Sequence, residues 1–115
     1  MERRDRILLE KVLSEITIAQ RMMADRSPDE FLQDEMLMRA TGMTVINIGE
    51  LVKNLTEGAR KAYPQIPWKA IAGFRDIAAH KYQTLRMEDV YETVTADFPQ
   101  LGDQIKAILQ AESDP

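Results

Sequence analysis

The chain has 115 residues and a net charge of −4, with 44% hydrophobic and 30% charged residues, five Gly, five Pro, one His and no Cys. This is globular composition for one domain over residues 1–115, too poor in turn residues for a loop-rich β protein. It excludes a disulfide framework and a thiolate metal site, and with a single His it predicts no structural zinc and no cofactor. The opening MERRDRILLEKVL carries basic residues without a continuous apolar stretch, so it does not read as a signal peptide. No apolar run approaches the roughly 20 residues that span a bilayer. The expected compartment is the cytoplasm, with no membrane partner.

The first predicted helix runs from about Arg3 to Ala24. Leu8, Val12, Ile16, Ala19 and Met23 recur at helical spacing, and Leu9 and Leu13 widen the stripe. Ser27-Pro28-Asp29-Glu30 reads as a helix start: Ser27 caps, Pro28 suits the first helical position and Glu30 completes a capping box. The helix that follows is expected to reach about Leu55. Its seam is Phe31, Met38, Thr41, Val45, Ile48, Val52 and Leu55, and a second set, Leu32, Met36, Met43 and Ile46, lies on another side. A helix apolar on two sides needs two partners, its own core and a second chain. Gly42 weakens the middle by about 1 kcal/mol relative to Ala, and points to a close helix approach or a small kink.

Ala62-Tyr63-Pro64-Gln65-Ile66-Pro67 reads as a connection, because two prolines this close interrupt a helix. A third helix is expected from Pro67 or Trp68 to His80, with Ile71, Phe74 and Ala78 as its apolar stripe, then a turn over Lys81 to Arg86. A fourth is expected over Met87 to Ala96 through Val90 and Val94. Asp97 is then read as the cap of a last helix with Pro99 in its first turn, using Leu101, Ile105, Ile108 and Leu109. No segment alternates as a strand. The fold class is therefore all-α, an antiparallel helical bundle with two long helices followed by shorter ones.

Charge is unevenly spread. Residues 53–86 hold seven basic residues (Lys53, Arg60, Lys61, Lys69, Arg75, Lys81, Arg86) against Glu57 and Asp76. A basic middle on an acidic body suits a local phosphate-binding surface, or is simply a solvated helix face. Within it, Phe74 to Tyr82 holds the one His. His80 is the side chain expected to titrate near neutral pH, hence the best general acid or base available. Arg75 can grip phosphate oxygens with two parallel hydrogen bonds. Asp76 and His80 are four apart on one helical face, so the carboxylate could orient the imidazole. Arg75 and His80 are five apart, about 140° around an ideal helix, and share no face. Two copies meeting across a two-fold axis could bring Arg75 of one to His80 of the other. The structural alternatives are plain: a His at a helix C-terminus is a favourable dipole partner, Tyr82 can pack over the bundle end, Glu50 can be a buried partner of Arg75 or an exposed helix residue, and Trp68 and Tyr63 can stack bases or belong to the core.

The segment resembles the HEPN superfamily, and most closely the HepT toxins paired with minimal nucleotidyltransferase antitoxins. That family's motif, Arg-x4-His-x-Tyr, is matched at Arg75, His80 and Tyr82, and the polar residue that often follows the Arg is matched by Asp76. Ile48-Gly49-Glu50 also looks like the family, and the likeness in helix order covers nearly the whole chain. The resemblance implies a HEPN-like bundle acting as a homodimer with a composite site. It implies metal-independent endoribonuclease activity with Arg75 and His80 catalytic and Asp76 and Glu50 supporting. It further implies a cognate nucleotidyltransferase antitoxin that silences the toxin, in a type VII-like system, by transferring AMP to Tyr82. A HEPN relative that binds a nucleotidyltransferase partner or a nucleotide without cutting RNA has the same fold and is the other reading.

Overall fold

The computed structural model describes residues 1–112; the last three residues of the expected domain, 113–115, lie outside the described residues. Helix α1 spans Arg3–Met23 and buries Leu9, Val12, Ile16, Ala19 and Met23 along one side. Asp25 then turns the chain with φ 61°, a left-handed position that a short polar side chain tolerates. The capping box forms as expected: the Glu30 amide donates to Ser27 Oγ at 3.1 Å, and the Ser27 amide donates to Glu30 Oε1 at 2.9 Å. The Ser27 amide, and after it the Ser27 hydroxyl, hold the Glu30 carboxyl below its ordinary pKa.

The long second helix predicted to Leu55 is divided. A short α2, Pro28–Leu32, is followed by α3, Glu35–Lys53, and Asp34 between them is extended at φ −108°, ψ 94°. Asp34 Oδ1 accepts the Leu37 amide at 3.0 Å, so the side chain competes with the backbone and starts a new helix. The break turns Phe31 fully into the core, with its ring centroid 5.6 Å from that of Tyr91. Helix α3 is continuous through Gly42. A further short helix, α4 at Glu57–Ala62, precedes the connection and takes in Ala62, which the sequence pattern places in the connection itself. Its cap Thr56 is tied to α1: the buried Asp5 accepts from the Thr56 amide at 2.9 Å and from its hydroxyl at 2.6 Å.

Residues 63–67 form the expected connection, and α5 spans Trp68–His80. Trp68 is buried and donates its indole N–H to the carbonyls of Tyr63 at 3.0 Å and Arg60 at 3.2 Å. It is a strut for this connection, and it is not available to stack a base. A 3-10 turn at Tyr82–Thr84 leads to α6, Met87–Glu92. Asp97 is not a cap. A π-helical turn, Thr93–Asp97, carries α6 straight into α7, Phe98–Glu112. Pro99 has no N–H and its ring crowds the carbonyl one turn back, so an ordinary α-turn is disfavoured there. The Phe98 amide reaches back five residues to Thr93, and the wider turn accommodates the proline.

Among the described residues the architecture is all-helical and antiparallel, as expected. Helix α1 packs between α3 and α7, and α5 packs on the outer side of α3. Arg4 donates to the Asn54 carbonyl at 3.1 Å and Arg6 to the Leu109 carbonyl at 3.3 Å, so the start of α1 meets the ends of both neighbours. One cluster runs through the body, including Leu9, Ile16, Ile48, Val52, Val90, Val94 and Ile105.

Candidate active site on the α3–α5 face

The site rests on how closely two backbones approach. A methyl group added to Gly49 would lie 2.0 Å from Arg75 Cβ, 2.7 Å from Arg75 Cγ and 3.2 Å from the Ile71 carbonyl oxygen. Only a glycine lets α5 lie this close to α3. One turn-pair earlier, a methyl on Gly42 would lie 3.1 Å from Cε2 of Tyr82. These two contacts set the antiparallel register, with Gly49 opposite Arg75 and Gly42 opposite Tyr82.

Close approach lays the Arg75 stem on α3 and delivers its guanidinium to two carboxylates. Arg75 NH2 is 3.0 Å from Glu50 Oε2, and NH1 is 3.0 Å from Asp76 Oδ1. Asp76 also faces Lys53 Nζ at 3.9 Å. The Arg75 side chain is only 20% exposed, and its Nε is buried without a partner. Of the two sequence readings of Glu50, buried partner of Arg75 or exposed helix residue, neither holds whole: it pairs with Arg75, but it is exposed and not buried. The expected Asp76–His80 contact is not formed. The adjacent, permanently charged guanidinium takes the carboxylate, and among the described residues the His80 ring has no hydrogen bond.

His80 is the last residue of α5 and is exposed. Helix α5 is regular through both motif residues, so the guanidinium faces α3 while the imidazole projects from another side. One copy of the chain does not bring them together. Tyr82 follows in the 3-10 turn, with its ring half-buried against Gly42 and the Arg39 guanidinium carbon 5.8 Å from the ring centroid. His80 and Tyr82 share a shallow hollow with Ala79, Lys81, Gln83 and Thr84. The same two helices carry the most exposed large hydrophobic side chain among the described residues, Met36 at 83%, together with Met43 at 56% and Ile77 at 50%. The second apolar face of residues 31–55 is therefore present and uncovered at Met36 and Met43, while Leu32 and Ile46 are half-buried. No group of three or more His, Cys, Asp or Glu side chains gathers to hold a metal among the described residues, and none of the described helices is long and apolar enough to cross a membrane.

Two contributors escaped the sequence reading. In the sequence Gly49 stands out only as part of a family-like triplet, and nothing marks Arg39, since its contact with Tyr82 spans distant parts of the chain. A glycine beside an acidic residue on a predicted buried seam was the available signal for the first.

An all-helical bundle carrying Arg75, His80 and Tyr82 on this face has the form of a HEPN-type domain. The family model described as "Ribonuclease HepT-like" matches residues 12–108, and the chain belongs to that family. It is 36% identical to "Putative RNase TTE0752" of Caldanaerobacter subterraneus subsp. tengcongensis, over 90% of this chain and 93% of the relative. It is 32% identical to "Gamma-glutamylcyclotransferase and putative RNase MJ0434" of Methanocaldococcus jannaschii, over 91% of this chain and 47% of that longer protein. A third relative, "Probable ribonuclease HepT" of Thermococcus cleftensis, is 28% identical over 88% of this chain and 92% of its own length. No solved structure matches the chain.

Proposed function

We propose that this single-domain protein is a cytoplasmic endoribonuclease toxin that acts as a homodimer without a metal ion. The observation that carries the reading is the division of the motif: Arg75 is anchored to Glu50 at 3.0 Å while His80, on another side of α5, stands exposed. The uncovered Met36, Met43 and Ile77 lie on the same helix pair. A second copy covering them across a two-fold axis would place one copy's Arg75 near the other's His80. The reaction needs no protein nucleophile. The RNA 2′-oxygen attacks the adjacent phosphorus, the bond to the 5′-oxygen breaks, and a 2′,3′-cyclic phosphate and a 5′-hydroxyl result. His80 moves the proton, and Arg75 stabilises charge on the phosphoryl oxygens. Glu50 and Asp76 fix the guanidinium.

Control falls on Tyr82. Its hydroxyl makes no hydrogen bond among the described residues, and Lys81 and Arg86 near it suit an anionic donor. A cognate nucleotidyltransferase antitoxin would join the Tyr82 oxygen to the α-phosphorus of ATP and release pyrophosphate. The added AMP, two residues from His80, would exclude RNA by bulk and charge.

The test is RNA cleavage in EDTA by wild type and His80→Ala. Cleavage by wild type and loss of at least a hundredfold in the variant are expected. A requirement for magnesium, or an unimpaired His80→Ala, would overturn the mechanism. The pairing of Arg75 with two carboxylates favours one rival, the non-catalytic module that binds a nucleotidyltransferase or a nucleotide. Tight association with the nucleotidyltransferase and no cleavage of any RNA would establish that instead.

A further inference from the structure

Arg75 is not the one guanidinium placed on the motif. Arg39 stands in the second turn of α3, on the far side of Tyr82 from Arg75. Its Nε is 2.9 Å from Glu35 Oε1 one turn earlier, and its guanidinium carbon is 5.8 Å from the centroid of the Tyr82 ring. The Arg39 side chain is 67% exposed. Its two terminal nitrogens have no partner among the described residues, in contrast to Arg75, whose two terminal nitrogens each face a carboxylate. An exposed pair one helical turn apart is weak and screened, so Glu35 directs the Arg39 fork without neutralising it tightly.

The ring under Arg39 is itself fixed, because it lies on the bare backbone at Gly42, where a methyl group would come within 3.1 Å of Cε2. Arg39 therefore holds a defined place relative to the motif through an aromatic face. Gly42, under Tyr82, and Gly49, under Arg75, are separated by about 10 Å along α3. A single guanidinium cannot serve both ends of that track. At 100° per residue, Arg39 points between the direction of Met36 and Met43 and that of Gly42. A second copy seated on the methionines would leave it at the rim of the shared site.

We infer that Arg39 binds a backbone phosphate of the RNA next to the one being cleaved, so that the strand crosses the motif from Arg75 to Tyr82. The inference rests on the ribonuclease reading above and adds a substrate-binding residue to it. The free fork suits a phosphodiester, since it offers parallel N–H donors to two oxygens. Because Arg39 stands away from the scissile phosphate, it holds substrate and transition state alike, and its loss acts on KM more than on kcat.

The experiment measures binding of a fluorescent mixed-sequence single-stranded RNA to full-length His80→Ala protein over a series of KCl concentrations. Arg39→Met is then added to that background. Methionine keeps an apolar stem against the Tyr82 ring and removes the charge. The expected result is affinity weaker by about tenfold, with the slope of log K against log salt reduced by about 0.7, the value of one single-strand phosphate contact. Arg39→Lys should restore the slope. In the cleaving protein, Arg39→Met should raise KM with kcat nearly unchanged. Equal affinity and equal slope with and without Arg39 would overturn the inference and leave the ribonuclease reading standing. A His80→Ala protein that binds no RNA, from a wild type that cuts none, would overturn both.

Discussion

The α1–α7 body and the α3–α5 face are held together by different means. Helices α1, α6 and α7 bury branched aliphatic and aromatic side chains, among them Leu9, Val12, Ile16, Val90, Phe98, Leu101 and Ile105. Helix α5, thirteen residues long, buries only Trp68 and Ala78. It also rests Ile71 and Phe74, half-buried, against the core, and its position on α3 is set by a glycine contact and by the ion pair from Arg75 to Glu50. Burial is non-directional and tolerant of small shifts, whereas a backbone-to-stem contact fixes a position or fails. The body thus rests on burial alone, whereas the α3–α5 face adds to its burial a contact that fixes geometry.

The largest effect is expected where burial is deepest. Ile16 is 1% exposed in the middle of the body. Ile16→Ala should cost about 2–5 kcal/mol through lost transfer energy and a cavity. Trp68 is the one tryptophan and belongs to α5, so its fluorescence reports the site face while circular dichroism reports the whole. Both probes should shift together in urea for Ile16→Ala. Separate transitions would mean the two regions unfold independently.

Gly49→Ala tests the other side of the comparison. Alanine gains about 1 kcal/mol of helix propensity. Against this stands the overlap at 2.0 Å with Arg75 Cβ, together with the Ile71 carbonyl at 3.2 Å, and overpacking costs about 1–3 kcal/mol. The clash wins because Arg75 Cβ is fixed by the α5 backbone and no side-chain rotation moves it away. The expected outcome is a modest net loss of stability, a changed Trp68 emission and loss of RNA cleavage beyond what the stability loss explains. Wild-type emission and cleavage would show that α5 is not held by this contact.

Glu50→Gln should act on geometry almost alone. The Glu50 side chain is 49% exposed, so the pair with Arg75 is largely screened and stability should change by no more than about 0.5 kcal/mol. A guanidinium freed from one of its two carboxylates is less well placed, and misplacement by about 1 Å costs up to about a hundredfold in rate. Cleavage should fall roughly ten- to a hundredfold at unchanged melting temperature, as followed by a gel assay and calorimetry on the same sample. Unchanged cleavage would remove Glu50 from the set that positions Arg75.

Much of this was readable beforehand, for reasons that differ by element. The bounds of α1 and α5 and the seam through Val45, Ile48 and Val52 follow from apolar periodicity, which burial enforces. The motif residues were readable because their spacing is local. The break before α3 was not, since a capping Asp34 and an ordinary surface Asp look alike until the backbone is seen. Asp97 and Pro99 misled because proline in a first turn is a start signal, and a π-turn that accommodates the same proline leaves no mark in composition. Asp76 was assigned to His80 by spacing, but Arg75 beside it competes more strongly. Arg39 and Tyr82 meet only through the α3–α5 register, which one strand of spacing cannot reveal.

The smallest effect is the sharpest test of the contrast. Gly102, like Gly49, is a buried glycine at a helix–helix contact, here between α7 and α1. A methyl group on Gly102 would lie 3.5 Å from Ile16 Cγ2 and 3.8 Å from Leu13 Cδ1, ordinary packing distances to flexible side-chain tips. Nothing in the body therefore requires a glycine there. Gly102→Ala should gain helix propensity and a little buried area, stabilising the protein by about 0.5–1 kcal/mol. For a domain of this size that raises the melting temperature by roughly 2–6 °C. RNA cleavage should be unchanged, because α7 carries none of the motif. The same substitution at two buried glycines would then have opposite signs, stabilising in the region built on burial and destabilising in the region built on approach. Destabilisation at Gly102 as large as at Gly49 would mean that the body, too, depends on close backbone contact, and the division between the two regions would not stand.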